Sequence, residues 1–344
     1  MAFYDQFFNV LGLRDWCDAN ISSGPMTMEQ LLGKVGDGDG TAVDVSEKIP
    51  FPSLDELNQA CSAIPRTRDM TSSVENAFLQ IKDDLKIIID PLTEPLSWAL
   101  DGSLTLFEAT PWFIMIPILL LLTFWTSRSW AVTCLVAVSF LFMSFIDHYI
   151  YAVQTLSIIF VCAISSILMG VPIGILMSRN DLFQRVLIPI LDMLQTLPTF
   201  VYLIPLIFLF SVTDSKLYGV AIILYAIVPV IRLTDLGIRL VDKDTIEAAD
   251  AFGMSKRQKL IGVEIPLALP NIMAGINQTI MMSLAMVVIA SLVSAPGLGV
   301  LVLRGIRSLE LGVGLIAGFC IVLLAILLDR TTKQALNRIN VSKG

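Results

Sequence analysis

The chain has 344 residues, 55% of them hydrophobic and only 15% charged, with a mean hydropathy of +0.77. That composition excludes an ordinary soluble domain and points to an all-α polytopic membrane protein. The formal charge of −7 sits at one end: residues 1–110 hold 18 acidic and 7 basic side chains, and the remainder is slightly positive.

The start, MAFYDQFFNVLGLRDW, lacks the cationic opening and clean apolar core of a cleavable signal, so insertion is expected to rely on the spans. Gly33-Lys34 is followed by Val35, and nothing fits the phosphate-cradling G-x-x-x-x-G-K-[ST] pattern. If ATP drives this protein, another chain binds it. Residues 36–40 (GDGDG) read as a solvated turn. A calcium loop counted from Asp37 would need Gly at Ala42 and Glu at Lys48. The five cysteines show no C-x-x-C spacing, and Cys134, Cys162 and Cys320 lie in apolar segments. With His148 the only histidine, no metal site or disulfide framework is expected.

From about residue 70 to 89 the apolar positions Val74, Phe78, Ile81, Leu85 and Ile88 recur at helical spacing, which predicts an amphipathic helix on the membrane surface or against the spans. Seven apolar segments follow, each near the roughly 20 residues that cross about 30 Å of hydrocarbon. They are Pro111–Trp125, Trp130–Ile146, Ile150–Ser178, Val186–Phe210, Leu217–Thr234, Pro270–Ser294 and Leu311–Leu328. The count becomes six if the short first pair is a re-entrant hairpin. Arg128, the loop with Arg179 and Arg185, the loop from Arg239 to Lys259 and the tail with Arg330, Lys333, Arg338 and Lys343 all belong inside by their cations. The acidic N-terminal segment then falls outside and the C-terminus in the cytoplasm; Arg304 and Arg307 run mildly against the rule.

Within the spans, Gly170-x-x-x-Gly174 and Gly314-x-x-x-Gly318 allow close helix approach and read as packing. Polar groups in hydrocarbon are costly unless paired or wet. Two sets stand out: Asp192, Gln195 and Thr196 in the fourth segment, and Asn277, Gln278, Thr279 and Ser283 in the sixth. Both are candidates for a translocation pathway. A snorkelling or capping role for Asp192, and interhelical packing for the amide-rich set, are the alternatives.

Between the fifth and sixth segments, DTIEAADAFGMSKRQKLIGVEIPLALP (residues 244–270) reads as two short helices with a corner. Asp244 can cap the first, with Glu247 three residues on. Gly253 can end it in a left-handed conformation, and Ser255 can cap the second before Pro266 and Pro270 punctuate the chain. An ordinary cytoplasmic hairpin is the plain reading. The spacing Glu247-Ala248-Ala249, Gly253, nine residues, then Val263-x-Ile265-Pro266 resembles the E-A-A-x(3)-G-x(9)-I-x-L-P loop of permease subunits of binding-protein-dependent ABC importers.

Two further stretches, Leu191 to Pro205 (LDMLQTLPTFVYLIP) and Met273 to Ile306, are similar to the permeases of glycine betaine/proline betaine importers, the ProW type. The likeness covers about residues 150–330, with Pro296 standing where such permeases often have Gly. It implies an ABC importer permease fold with a segment 1–110, first spans over 111–146, a core over 147–330 that holds a coupling loop at 242–266, and a tail over 331–344. It also implies that Glu247, Ala248, Ala249 and Gly253 dock on an ATPase. The implied assembly is a homodimer in the bacterial inner membrane, with two ATPase subunits carrying ATP and Mg, and an outer substrate-binding protein holding the betaine. No cofactor on this chain and no nucleic acid are implied. The competing readings are an importer of another small solute, such as an amino acid or a taurine-like sulfonate, and an integral-membrane enzyme. The enzyme fares badly, since neither G-x-S-x-G nor H-E-x-x-H is present.

Overall fold

The structure, a computed structural model, describes residues 8, 10–13, 61 and 67–341, in two units, Met1–Asp84 and Leu85–Gly344. The expected turn at residues 36–40 lies outside the described residues. Among those described, every regular element is helical. They are α1 (Thr67–Ala109), α2 (Trp112–Ser127), α3 (Trp130–Phe145), α4 (Tyr149–Arg179), α5 (Asp181–Thr196) and α6 (Leu203–Leu209), then α7 (Ser215–Arg239), α8 (Lys243–Ala251), α9 (Lys256–Lys259), α10 (Ile265–Ala290), α11 (Leu298–Arg307) and α12 (Leu311–Val341).

In the first unit, Val74 and Ile81 of the expected apolar stripe are exposed. Cys61 is buried and disulfide-bonded, a bridge that the expectation of no disulfide framework did not foresee. That expectation leaned on C-x-x-C spacing, whereas bridging depends on how closely two Cβ atoms approach in space.

The helix expected near 70–89 is 43 residues long and continues through Pro91 and Pro95. Its continuation has a face of its own: Leu85, Ile89, Leu96, Leu100 and Leu104 pack into a core shared with α4 and α7. Polar contacts along the same stretch join Lys216 to Asp90 at 2.8 Å, Ser97 to Ser215 at 2.9 Å and Ser103 to Ser157 at 2.8 Å. This half of α1 therefore lies across the beginnings of α7 and α4.

Among the described residues, four helices are long and apolar enough to cross a membrane: α4, α7, the continuous run Lys256–Val293, and α12. Two bent pairs raise the count to six if each is one span, α1 with α2 at 114° and α5 with the Thr199–Leu209 stretch at 106°. The expected fourth span is thus broken. Pro198 drives the preceding residue out of the helical region, and Leu197 indeed has ψ 134°, so α5 stops at Thr196. Helices α2 and α3 have 16 residues each, about 24 Å of rise, short of the roughly 30 Å layer. The expected seven spans are therefore not reached among the described residues, and the upper count of six comes from the two bent pairs rather than from a re-entrant first pair.

The sixth span starts well before Pro270. Helix α9 runs through a π-turn at Leu260–Glu264 straight into α10, which corrects the expectation of a second short helix closed off by Pro266. The wider π register absorbs the hydrogen bond that a proline nitrogen cannot donate.

Helix α7 is the centre of the bundle and packs most heavily on α10 and α4. The approach is close because glycines face it. A Cβ on Gly170 would lie 2.3 Å from Val230 Cγ1, and one on Gly174 would lie 2.7 Å from the Ile231 carbonyl oxygen. Packing is also the role of Gly314, against Gly305 of α11, while a Cβ on Gly318 would meet nothing within 4 Å.

Candidate functional site

The loop after α7 is built by local hydrogen bonds. Asp242, not Asp244, caps α8 by accepting from the Asp244 backbone N–H at 3.1 Å. The expected cap falls two residues too late because Lys243 already has helical geometry. Asp244 instead adds negative charge to the first turn, where the helix dipole favours it.

At the other end of α8 the Gly253 N–H donates to Asp250 O at 2.9 Å and the Met254 N–H to Ala249 O at 3.2 Å. These are the two bonds of a Schellman closure, which requires a left-handed residue, and Gly253 has φ +73° as the sequence predicts. Ser255 and Gln258 then form a reciprocal capping box on α9. Lys259 Nζ reaches back across the corner to both carboxylate oxygens of Asp250, at 2.7 and 2.8 Å. The corner is therefore held by backbone, cap and ion pair together.

Of the predicted loop residues, Glu247, Ala248 and Gly253 are exposed and Ala249 is buried. Phe252, 87% exposed beside Gly253, went unnoticed in the sequence. It gives the loop an apolar tip flanked by the small side chains of Ala248 and Ala251.

Beneath the loop lies an ionic network that sequence reasoning also missed. Glu264, only 2% exposed within the π-turn, is paired with Arg179 at the end of α4. Arg239 at the end of α7 donates to Asp235 and Asp181 at 2.8 Å each and to the Met177 carbonyl at 2.9 Å, and Gln184 donates to Asp235 at 2.8 Å. The ends of α4, α5, α7 and α10 are thereby tied together under the loop. The available signal was a lone Glu264 in an otherwise apolar V-E-I-P run.

The two polar sets within the spans go to different neighbours. Asp192 pairs with Arg232 of α7, with side chains 54% and 36% exposed. Gln195 and Thr196 follow Asp192 at i+3 and i+4, on the same face of α5. Asn277 donates to Asp329 at 3.2 Å and accepts from Thr332, both on α12, and Gln278 is exposed. Thr279 and Ser283 are buried, Ser283 donating to the Thr279 carbonyl at 2.9 Å.

A cavity of about 410 Å³ between α1, α2, α3, α4 and α12 is apolar. The hydroxyls of Thr110, Thr123 and Thr331 on its wall each donate to their own helix at 2.7 Å, so they are already engaged. It is not where a polar solute would bind.

Residues 166–340 match the family described as binding-protein-dependent transport system inner membrane component. Over 307 residues the chain is 36% identical to the glycine betaine/proline betaine transport system permease protein ProW of Escherichia coli (strain K12), spanning 89% of this chain and 86% of that one. Over 246 residues it is 41% identical to the glycine betaine transport system permease protein OpuAB of Bacillus subtilis (strain 168), spanning 71% and 86%. Among solved structures, the inward-facing MetNI methionine ABC transporter in its native crystal form has a similar fold, with TM-score 0.50 and 20% identity over 55% of this chain and 94% of that one.

Proposed function

Because the chain belongs to the binding-protein-dependent transport system inner membrane components, we propose that it is the permease of an ATP-driven importer for glycine betaine, proline betaine or a related quaternary-ammonium osmolyte. The observation that carries this reading is likeness to betaine permeases over most of the chain, joined to a coupling-type loop whose corner is rigid and whose tip is exposed.

The working assembly is two copies of this chain, two ATPase subunits binding ATP and Mg inside, and a substrate-binding protein outside. Glu247, Ala248, Phe252 and Gly253 form the face that meets the ATPase, with Ala249 buried behind it. Reversing a 99:1 preference between inward and outward states takes about 5.5 kcal/mol of differential binding, and that energy must enter through a connection stiff enough to carry it. The loop offers one. A displacement of α8 passes through the Asp250–Lys259 pair to α9, on through the continuous helix into α10, and through Glu264–Arg179 into α4.

The protein is placed in the bacterial inner membrane with the N-terminal segment outside and the C-terminus inside, which takes an odd number of crossings, five within the four-to-six range of the described helices. The cation-rich ends near the loop support this orientation. So does the disulfide at Cys61, since disulfides persist in oxidising compartments. Asn277 is read as a brace between α10 and α12 rather than a pathway residue, because Asp329 and Thr332 already engage it.

Radiolabelled glycine betaine uptake into proteoliposomes that hold this chain, its ATPase and its binding protein is the test. ATP-dependent uptake is expected, and the isolated chain should hydrolyse no ATP. Uptake restricted to unmethylated amino acids or sulfonates would move the solute class.

A further inference from the structure

The Asp192–Arg232 pair is oddly placed for a structural ion pair. Arg232 stands seven residues, about 10 Å of rise, inside the end of α7, the most buried of the spans. A carboxylate and a guanidinium 54% and 36% exposed at that depth cannot face hydrocarbon, where each would cost several kcal/mol, so they face water or protein. One observation favours water, and a second leaves Arg232 with a donor to spare. First, the backbone of α5 breaks at Leu197–Pro198, five residues beyond Asp192. Non-helical backbone at membrane depth is tolerated only where protein buries it or it lines a wet cavity, and Pro198 is exposed. Second, the pair occupies only part of the guanidinium: Arg232 Nε is buried and has no partner, an unserved donor beside the carboxylate it already holds. Gln195 and Thr196 continue the polar face toward the break.

We infer that Asp192 and Arg232 form a transit site for a zwitterionic solute, opening to take it and closing behind it. The solute carboxylate replaces Asp192 on the Arg232 fork, where the free Nε–H can make the grip bidentate. The released Asp192 faces the solute's cationic end, with Gln195 and Thr196 beside it. Both the empty and the occupied arrangements are neutral in sum, so no unpaired charge is exposed in the span during the exchange. An anion or a cation alone would leave one member stranded, which disfavours it at this point. This rests on the proposed betaine-import reading and adds to it the residues that handle the solute between the binding protein and the cytoplasm.

The test compares wild type with Asp192→Asn, Arg232→Gln and the double variant in proteoliposomes with ATPase and binding protein, measuring uptake and binding-protein-stimulated ATP hydrolysis. A merely structural pair predicts rescue, because removing both partners strands no charge, so the double variant would transport within about twofold of wild type. A transit site predicts no rescue: the double variant keeps normal abundance and stimulated ATP hydrolysis, yet uptake falls by about 10- to 100-fold, the loss of about one charge-assisted bond to the solute. Rescue overturns the inference. So does loss of ATP hydrolysis along with uptake, which would assign the pair to coupling. If wild type itself imports no betaine, the functional reading fails, separately from this inference.

Discussion

Substitution at Gly253 separates a requirement for backbone shape from one for space. A Cβ there would meet nothing within 4 Å, so no clash contributes, and the whole penalty comes from φ +73°. For an ordinary L-residue the left-handed conformation costs about 1–2 kcal/mol, and Asn pays less because its short polar side chain tolerates that region. The corner is stabilised by two Schellman bonds and the Asp250–Lys259 pair, all of which need that geometry. Shifting it by about 1–2 kcal/mol changes its occupancy by roughly 5- to 30-fold. The spans that dominate stability are untouched. Gly253→Val should therefore show normal membrane abundance but several-fold weaker ATPase co-purification and binding-protein-stimulated hydrolysis, with Gly253→Ala intermediate and Gly253→Asn nearest wild type. Equal activity of the Val and Asn variants would refute the argument, since they differ mainly in their tolerance of positive φ.

Arg179→Ala strands the buried carboxylate of Glu264 and should destabilise the detergent-solubilised protein by about 3–5 kcal/mol, whereas Arg179→Met with Glu264→Leu should recover most of it; thermal unfolding of the three variants decides. Gly174→Val drives side-chain atoms into the Ile231 carbonyl and Thr234 of α7, an overpacking of about 1–3 kcal/mol or more that should lower folded yield, while Gly318→Val, on a face with nothing within 4 Å, should not. Glu247→Lys should leave abundance unchanged and weaken ATPase co-purification. A cysteine at Ser46 should react with an impermeant thiol reagent in intact cells beyond the level of the unsubstituted chain; reaction only after permeabilisation would contradict the outward placement of that segment.

The loop was the most legible part of the chain because its bonds are local. Gly253 and Ser255 declare their conformations through residue type alone, and only the cap moved, from Asp244 to Asp242, within a run where two aspartates compete. The broken fourth span was half visible. Pro198 was in view, but a proline inside an apolar run either kinks a helix or ends it, and the neighbours that decide were not. What sequence could not supply was pairing between distant segments. Glu264 needs Arg179, 85 positions away, and the face of α1 from Leu85 to Leu104 acquires its meaning only where α4 and α7 begin.

The polar residues of the spans show the same limit most sharply. Asp192 and Asn277 raise the same flag in the sequence, a polar group in an apolar run. Their fates differ because of what stands on the next helix. Asn277 meets Asp329 and Thr332, which take both ends of its amide, and it becomes a brace. Asp192 meets a single guanidinium that stays partly exposed and keeps a donor unserved, so the pair can exchange one carboxylate for another. A group whose hydrogen-bonding capacity is filled by the fold is costly to move and serves structure. One left partly unfilled beside a break in the backbone can be rearranged by a solute that carries the missing charge, which is why the pathway assignment follows Asp192 to Arg232 rather than Asn277 to α12.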